Sequence, residues 1–309
     1  MKRKIMSQLH KRKNKIVVKN IVLSAIPAAI FPAIEIIPVQ DELSKTIFKF
    51  IAIIFIIYSI WNISQKEDLE AEYIEERLKN YEKYYVSQKI VNSLSDVGKI
   101  KRNFLKRDKE KYDISNNVLL YSPHEYIESV CECIKKLISD ITEINSVNFS
   151  VSFIYRYPTC TDNIWKWITR KEGTINQDLN AFVTNDNSNS YFHYIVSNNL
   201  SSYFQNNKEI LVKNGNYWIS EGDKRYSALG SIASYKISFI KNDSTRCVGY
   251  LTISTYGQKF VEDDNLDDIK KFNYLLSDVV IPPFRAIIES ELGFLYERHI
   301  LQNNDELSK

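Results

Sequence analysis

Two segments in the C-terminal half of the chain combine aromatic rings with cationic side chains. The first reads DNIWKWITR and the second NGNYWISEGDKRY. Tryptophan and tyrosine rings stack on planar ligands, and lysine and arginine pair with anionic groups such as phosphate. Both segments lie near predicted strand ends, where the wall of a small-molecule pocket can form. The residues that we assign to a candidate ligand site are Trp165, Trp167, Arg170, Tyr217, Trp218, Lys224 and Arg225.

The alternative for these segments is ordinary packing of the rings, with the charges solvated in loops. Other chemically active residue types are too scattered to form an active site. The four histidines, His10, His124, His193 and His299, lack the spacing of metal ligands. No glycine-rich phosphate loop, nucleophile elbow or H-E-x-x-H motif occurs. We therefore expect no enzyme, with no catalytic residue, no metal and no cofactor.

Charge and cysteine content argue against two further classes, nucleic-acid-binding proteins and proteins held by disulfides or zinc. The chain carries 41 Lys and Arg against 38 Asp and Glu, a net charge of +3, and no basic stripe interleaved with aromatics marks the C-terminal half. We therefore expect no nucleic acid duplex as a partner. Cys131 and Cys133 are too close for ordinary disulfide geometry, and Cys160 and Cys247 do not complete a zinc motif. All four are expected to be free thiols in a reducing compartment.

The elements that precede these segments begin with a basic stretch, residues 1–19, and an apolar region, residues 20–63. A membrane-spanning helix needs about 20 mostly apolar residues. Ile21–Val39 and Thr46–Ile63 each come close to that length, and only six residues separate them. So short a link predicts an antiparallel transmembrane hairpin. A cleaved signal peptide is the alternative for the first span, although its apolar run is long and a second span follows at once.

Charge asymmetry predicts the orientation of the hairpin. The link between the spans has Lys45 as its single basic residue. The basic residues before the first span are Lys2, Arg3, Lys4, Lys11, Arg12, Lys13, Lys15 and Lys19. Because positively charged flanks stay in the cytoplasm, we expect both termini there and the link outside. This predicts a multi-pass protein of the inner (plasma) membrane, with the lipid bilayer as a partner.

Two features distinguish this hairpin from a plain anchor. Pro27 and Pro32 lie inside the first span and Pro38 at its end, and each removes a backbone donor, so we expect a kinked or broken helix. Glu35 and Lys49 fall at a similar depth near the outer side. These two charges either snorkel to the interface, or pair in a polar seam through which hairpins associate or admit water.

Residues 64–112 are predicted to form a connecting helix, because they contain no proline and a single glycine, Gly98. Residues at spacings of three and four form two series along it. The first series is Ile74, Leu78, Tyr81 and Tyr85, and the second is Ile90, Leu94, Val97, Lys101 and Phe104. Two alternatives follow: a coiled coil that self-associates, or a helix folded back on the next domain.

The C-terminal domain, residues 113–309, is predicted to begin with an amphipathic helix. Ser122 is placed to cap this helix, Pro123 occupies its first position, and Glu125 lies three residues after the cap. The apolar residues that share one face are Tyr126, Val130, Ile134, Leu137, Ile138 and Ile141.

Alternating patterns then predict strands. VNFSVSFIYRY places Val147, Phe149, Val151 and Phe153 on one side, and NIWKWITR, SYKISFI and CVGYLTIST predict three more strands. SYFHYIVSNNLSSYF predicts a short helix, and the closing helix is interrupted at Pro282–Pro283. This order of elements predicts an α+β domain with a central antiparallel sheet flanked by helices.

The order of these parts resembles a GAF-type small-molecule sensor domain. The resemblance is carried by GSIASYKISFI, by RCVGYLTIST with its Gly249–Tyr250–Leu251 step, and by Phe260, Asp264 and Leu266 before the last helix. It covers roughly Ser122 to His299. A resemblance of this kind implies a small-molecule or cyclic-nucleotide ligand.

One motif departs from the cyclic-nucleotide-binding members of that family. Those members carry an Asn–Lys pair after the last strand, followed by Phe, three residues and Asp–Glu. Phe260 and Asp264 fit this pattern, but STYG stands where Asn–Lys is expected and Asn265 replaces the Glu. Cyclic-AMP or cyclic-GMP binding therefore does not simply transfer to this chain.

The layout of hairpin, helix and sensor-like domain resembles the two-span membrane effectors of bacterial anti-phage signalling systems. With no kinase, cyclase or DNA-binding element after the domain, the hairpin is the part left to respond. We expect a homo-oligomer in which ligand binding drives the hairpins to cluster and disrupt the membrane. The alternative is a passive membrane tether, whose domain regulates a partner protein in trans.

Overall fold

The computed structural model describes residues 42–110, 121–161, 163–169, 178–185, 189–262 and 265–307. Two compact units divide the chain, Met1–Lys83 and Tyr84–Lys309. The first predicted span and Glu35 lie outside the described residues. Helix α1 runs over Glu42–Glu110 and includes Lys49, whose side chain lies outside them too.

The earlier part of α1, in the first unit, covers the second predicted span. Most of its side chains before residue 73 are not among those that the structure describes. Within the described part of the chain, no helix is long and apolar enough to cross a membrane. The two-span hairpin stays a prediction from the sequence.

The later part of α1, from Tyr84 onward, packs on the second unit. Ile90 is 8% exposed and Val97 1% exposed, and Leu94 and Phe104 pack against the same apolar core. These residues belong to the second predicted series. That series folds back on the domain, because its apolar side chains are buried there rather than left for a coiled-coil partner.

Lys101, the polar member of that series, connects α1 to the last helix, α7 (Ile281–Leu307). Its ammonium group donates a 2.5 Å hydrogen bond to the carboxylate of Glu291. The same carboxylate accepts a 2.6 Å hydrogen bond from the hydroxyl of Tyr121. Because Glu291 is only 3% exposed, its charge needs these partners, and they hold α1 against the domain.

Helix α2 (Pro123–Thr142) begins as its sequence predicts. The Ser122 hydroxyl accepts a 3.3 Å hydrogen bond from the backbone N–H of Glu125, and Pro123 lies at the first helical position. The predicted apolar face is confirmed, since Val130, Ile134 and Ile138 are fully buried.

A five-stranded antiparallel sheet forms the centre of the second unit, in the order β2-β1-β5-β4-β3. The α+β class with a central antiparallel sheet is therefore confirmed. The strands are β1 (Phe149–Arg156), β2 (Lys166–Thr169), β3 (Ser202–Gln205), β4 (Ile232–Lys241) and β5 (Ser244–Thr255). The remaining helices are α3 (Leu179–Thr184), α4 (Tyr191–Ser197), α5 (Lys208–Lys213) and α6 (Leu266–Tyr274), with single 3-10 turns at Ser146–Asn148 and Asp223–Arg225.

Alternation along the strands gives the sheet two different faces. On one face, Phe149 and Phe153 of β1 join Leu251 of β5 in the core shared with α1, α2 and α7. On the other face, Ile154 and Tyr250 belong to a second core, which α3, α4 and α5 cover. The three short helices therefore cover this face of the sheet.

Three details of the predicted elements are wrong. Val147 is 67% exposed in the turn before β1, because the chain enters the strand only at Phe149. The end of SYFHYIVSNNLSSYF is strand β3, which pairs with β4. The closing helix is irregular at Leu275–Val280, a π-helical stretch before the prolines. Proline at the start of the following helix is tolerated, so the irregularity lies upstream of it.

Candidate functional site

A cavity lies on the second face of the sheet, beneath the short helices. It contains about 650 Å³ of empty space, including the solvent at its mouth. Its floor carries the hydroxyls of Ser150, Ser152, Thr252 and Ser254. These side chains meet because Ser150 pairs with Ser254, and Ser152 with Thr252, across β1 and β5. The floor is therefore a polar patch built from two adjacent strands.

Aromatic rings form the walls of the cavity. Trp167 comes from β2, Phe182 from α3 and Phe192 from α4, and Trp218 follows α5. The rings of Trp167 and Phe192 meet edge to face, with centroids 5.5 Å apart, and those of Phe182 and Trp218 are 6.1 Å apart at 87°. Such edge-to-face contacts hold the rings in fixed orientations.

Capping residues place the short helices that carry these rings. The side chain of Asp178 accepts a 3.1 Å hydrogen bond from the backbone N–H of Asn180 at the start of α3. Ser190 accepts one of 3.2 Å from the N–H of Phe192 at the start of α4. Because each helix is only six or seven residues long, its cap and its buried face define its position.

A buried ion pair lies next to the cavity floor. Lys208, at the start of α5, and Asp223, in the 3-10 turn, both have fully buried side chains and form a direct salt bridge. The Lys208 ammonium also donates hydrogen bonds to Ser254 Oγ at 3.1 Å and to the Tyr217 hydroxyl at 3.2 Å. All three ammonium protons therefore have acceptors, which a buried charge requires.

The carboxylate of Asp223 is equally well satisfied. It accepts hydrogen bonds from the Tyr217 hydroxyl at 2.8 Å, from Ser220 Oγ at 2.6 Å and from the Ser220 backbone N–H at 3.0 Å. Ser254, Tyr217 and Ser220 also line the cavity. The ion pair thus fixes the hydroxyl groups that a ligand would meet, without itself reaching the surface.

Burial changes the proton affinity of groups around the cavity. It lowers the pKa of Lys208 to about 8, although the attraction of Asp223 acts in the opposite direction. Burial, followed by the charge of Asp223, raises the pKa of Tyr217 well above 10. The pKa of Tyr191 is also raised well above 10 by burial. Its hydroxyl has no hydrogen bond of normal geometry in the described structure, although Ser234 lies close enough to lower the pKa.

The aromatic members of the predicted ligand site are placed differently from one another. Trp167, Tyr217 and Trp218 all line the cavity, so the fold brings together rings from both sequence segments. Trp165 is 4% exposed and does not line it. Its indole packs in the core beneath, with the guanidinium of Arg156 4.8 Å from the ring centre.

The two cationic members that the structure describes do not line the cavity. Lys224 and Arg225 are exposed in the turn that carries Asp223, and Lys224 pairs with Glu221 at 2.6 Å. Arg170 lies outside the described residues. The described part of the site therefore offers rings for stacking and hydroxyls for hydrogen bonding, but no cation on its lining.

Several residues of the site were not predicted. The alternation of FSVSF could have identified Ser150 and Ser152, because it places them on the face opposite the phenylalanines. Lys208 and Asp223 have no comparable signal. Each looks like an ordinary charged residue near a helix start or turn, and only the fold shows that the two are buried together.

Comparison with known proteins does not assign this chain to a family. No protein-family model matches the chain, and no curated protein matches it.

Proposed function

We propose that the Tyr84–Lys309 unit is a GAF-like sensor domain that binds a small molecule in this cavity. The observation that carries the proposal is the cavity itself: aromatic walls above a hydroxyl floor, held by the buried pair Lys208–Asp223. Few precisely placed polar groups within an apolar enclosure are typical of small-molecule sites. The GAF resemblance supports the same assignment, since its Gly249–Tyr250–Leu251 step lies on β5, next to the floor.

We further propose that the chain is a membrane effector. In this scheme the predicted hairpin is the output, and ligand binding drives hairpins to oligomerise and disrupt the membrane, as in anti-phage defence. Helix α1 supports the scheme, because it includes the second predicted span and also packs on the sensor unit through Ile90, Val97 and Lys101. A change in the domain can therefore reach the span through one helix.

The two faces of the sheet offer a route for that change. Ser152 of β1 and Thr252 of β5 line the cavity, while their neighbours Phe153 and Leu251 pack in the core shared with α1 and α7. A ligand that shifts these strands also shifts the surface on which α1 rests. Packed cores transmit such shifts because they contain little free volume.

The proposal is tested in bacteria that express the full chain under tight induction. A voltage-sensitive dye reports membrane potential, with and without each member of a panel of co-expressed nucleotide cyclases. We expect depolarisation with one cyclase, and its loss in Trp218→Ala, which opens the cavity wall, and in Glu35→Leu. The control is Tyr274→Ala, a substitution at an aromatic residue that is 63% exposed and does not line the cavity.

The same experiment distinguishes the effector hypothesis from the passive-tether hypothesis. An unchanged potential with every cyclase, in cells where the chain is membrane-inserted, contradicts the effector. A tether would also keep its function when an unrelated two-span hairpin replaces residues 20–63, whereas the effector would lose it.

A further inference from the structure

From the hydrogen bonds beneath the cavity, we infer that the cavity selects an uncharged, planar heteroaromatic ring whose hydrogen-bond acceptor faces Ser254. A nucleobase belongs to this class, and any charged part of such a ligand stays outside the cavity. The inference rests on the proposed function, which makes the cavity a ligand site, and it adds the chemistry of the ligand.

The lining of the cavity favours an uncharged group. Among the described residues, the lining consists of serine, threonine, tyrosine, tryptophan, phenylalanine and isoleucine, none of which is charged at neutral pH. The nearby charges of Lys208 and Asp223 are fully buried and neutralise each other. An ion that entered would lose its hydration without gaining an opposite charge, which is strongly unfavourable.

The walls favour a flat ring. Trp167 and Trp218 each meet a phenylalanine edge to face, so their orientations are held by neighbours before any ligand arrives. Stacking on such rings is insensitive to the identity of the base or heterocycle. Selectivity must therefore come from the polar groups of the floor.

Lys208 determines which floor group donates. An ammonium group can only donate, so Ser254 Oγ accepts the 3.1 Å hydrogen bond and keeps its own proton for another acceptor. The protons of Tyr217 and Ser220 are instead directed to the carboxylate of Asp223. Of Ser254, Tyr217 and Ser220, Ser254 is the one whose proton is not directed to Asp223, so a ligand group that meets Ser254 must present an acceptor there.

Two probes of the same shape test this inference. Indazole has a ring nitrogen that accepts a hydrogen bond, and indole has a C–H at that position. Calorimetry at pH 7.5 with the full chain in detergent micelles measures both. We expect indazole to bind about tenfold more tightly than indole, the effect of one net hydrogen bond. Indazole-3-carboxylate, which adds a charge, is expected to bind more weakly than either.

Two variants test whether the difference between indazole and indole binding comes from the hydroxyl of Ser254. Ser254→Ala removes the donor and should abolish the roughly tenfold preference for indazole over indole, whatever its effect on the binding of both rings. Ser197→Ala, at an exposed serine outside the cavity lining, is the matched control and should change neither. Circular dichroism verifies that both variants fold.

The failures of the two proposals are distinguishable. Equal binding of indole and indazole, or tight binding of the carboxylate, overturns the inferred ligand chemistry but leaves the cavity as a ligand site. No binding of any of these rings to folded protein overturns both the inference and the assignment of this cavity as the sensor site.

Discussion

Lys208 holds its ammonium group where no solvent reaches it, among Asp223, Tyr217, Ser254 and the ring of Tyr256, whose centre is 4.9 Å away. Moving two such charges out of water is costly, and their attraction offsets that cost only when every proton and lone pair is used. Here the network meets that condition. Removing one partner therefore leaves an uncompensated charge.

We expect Lys208→Met to lower the free energy of unfolding by about 3–5 kcal/mol, because Asp223 then stays buried without its counter-ion. The double variant Lys208→Met/Asp223→Leu should recover a large part of that loss, since it removes both charges. Urea denaturation of the full chain in detergent, followed by near-ultraviolet circular dichroism, measures both effects.

The control for this prediction is Lys224→Met. Its salt bridge with Glu221 is more than half exposed, and surface pairs of this kind contribute little to stability. A loss for Lys208→Met as small as that for Lys224→Met would contradict the buried-pair account.

At the scale of elements, β5 packs against β1 at Gly249 with no room for a side chain. A Cβ atom at this position would lie 2.4 Å from Cζ of Phe153 and 2.7 Å from the carbonyl oxygen of Ile154. The ring of Phe153 is fully buried and the carbonyl belongs to the backbone, so neither can move freely. The close pairing of the two strands that form the cavity floor thus depends on a missing side chain.

Gly249→Ala is expected to destabilise the domain by about 1–3 kcal/mol through overpacking. Gly98→Ala is the matched control, because a Cβ at that position meets nothing within 4 Å and Gly98 lies inside helix α1. That substitution should stabilise the chain by roughly 0.5–1 kcal/mol. Thermal unfolding measures both, and a neutral or stabilising Gly249→Ala would show that the two strands can separate without cost.

At the scale of the whole molecule, tyrosines that pack on both faces of the sheet share one electrostatic property. Burial raises the pKa of Tyr126, which packs beside α1, and of Tyr203, in β3, to about 12 in each case. An unfolded tyrosine ionises near pH 10. Between these values the folded chain holds protons that the unfolded chain has released, so stability falls as pH rises.

At lower pH, Lys208 has the opposite effect on the pH dependence of stability. Its folded-state pKa of about 8 lies below the unfolded value of 10.5, so its contribution to stability rises with pH between those values. Measurements above pH 10.5 therefore exclude the opposing contribution of Lys208.

We expect the free energy of unfolding to fall by more than about 2–4 kcal/mol between pH 10.5 and 12. Tyr126 and Tyr203, with pKa values near 12, account for about that amount. Tyr191 and Tyr217, whose pKa values are raised well above 10, add to it. Urea denaturation at a series of pH values gives the slope. Tyr203→Phe removes one of these groups and should reduce the slope. A free energy that is constant over this range would mean that these hydroxyls ionise freely in the folded chain.

Features that depend on residues two to four positions apart could be predicted from the sequence. Ser122, Pro123 and Glu125 were sufficient to locate the start of α2, and alternation was sufficient to identify β1, β4 and β5. The aromatic content of two segments also identified Trp167, Tyr217 and Trp218, which line the cavity. Each of these signals is local, because capping and strand alternation act between nearby residues.

Which distant groups meet depends on the tertiary fold. It buried the second series of α1 against the domain, and it brought Lys208 and Asp223 beneath Ser254, while leaving Lys224 exposed one residue away from Asp223. Local pattern cannot distinguish adjacent charged residues of this kind. The burial of each depends on the order in which strands pair, and that order joins segments far apart in the chain.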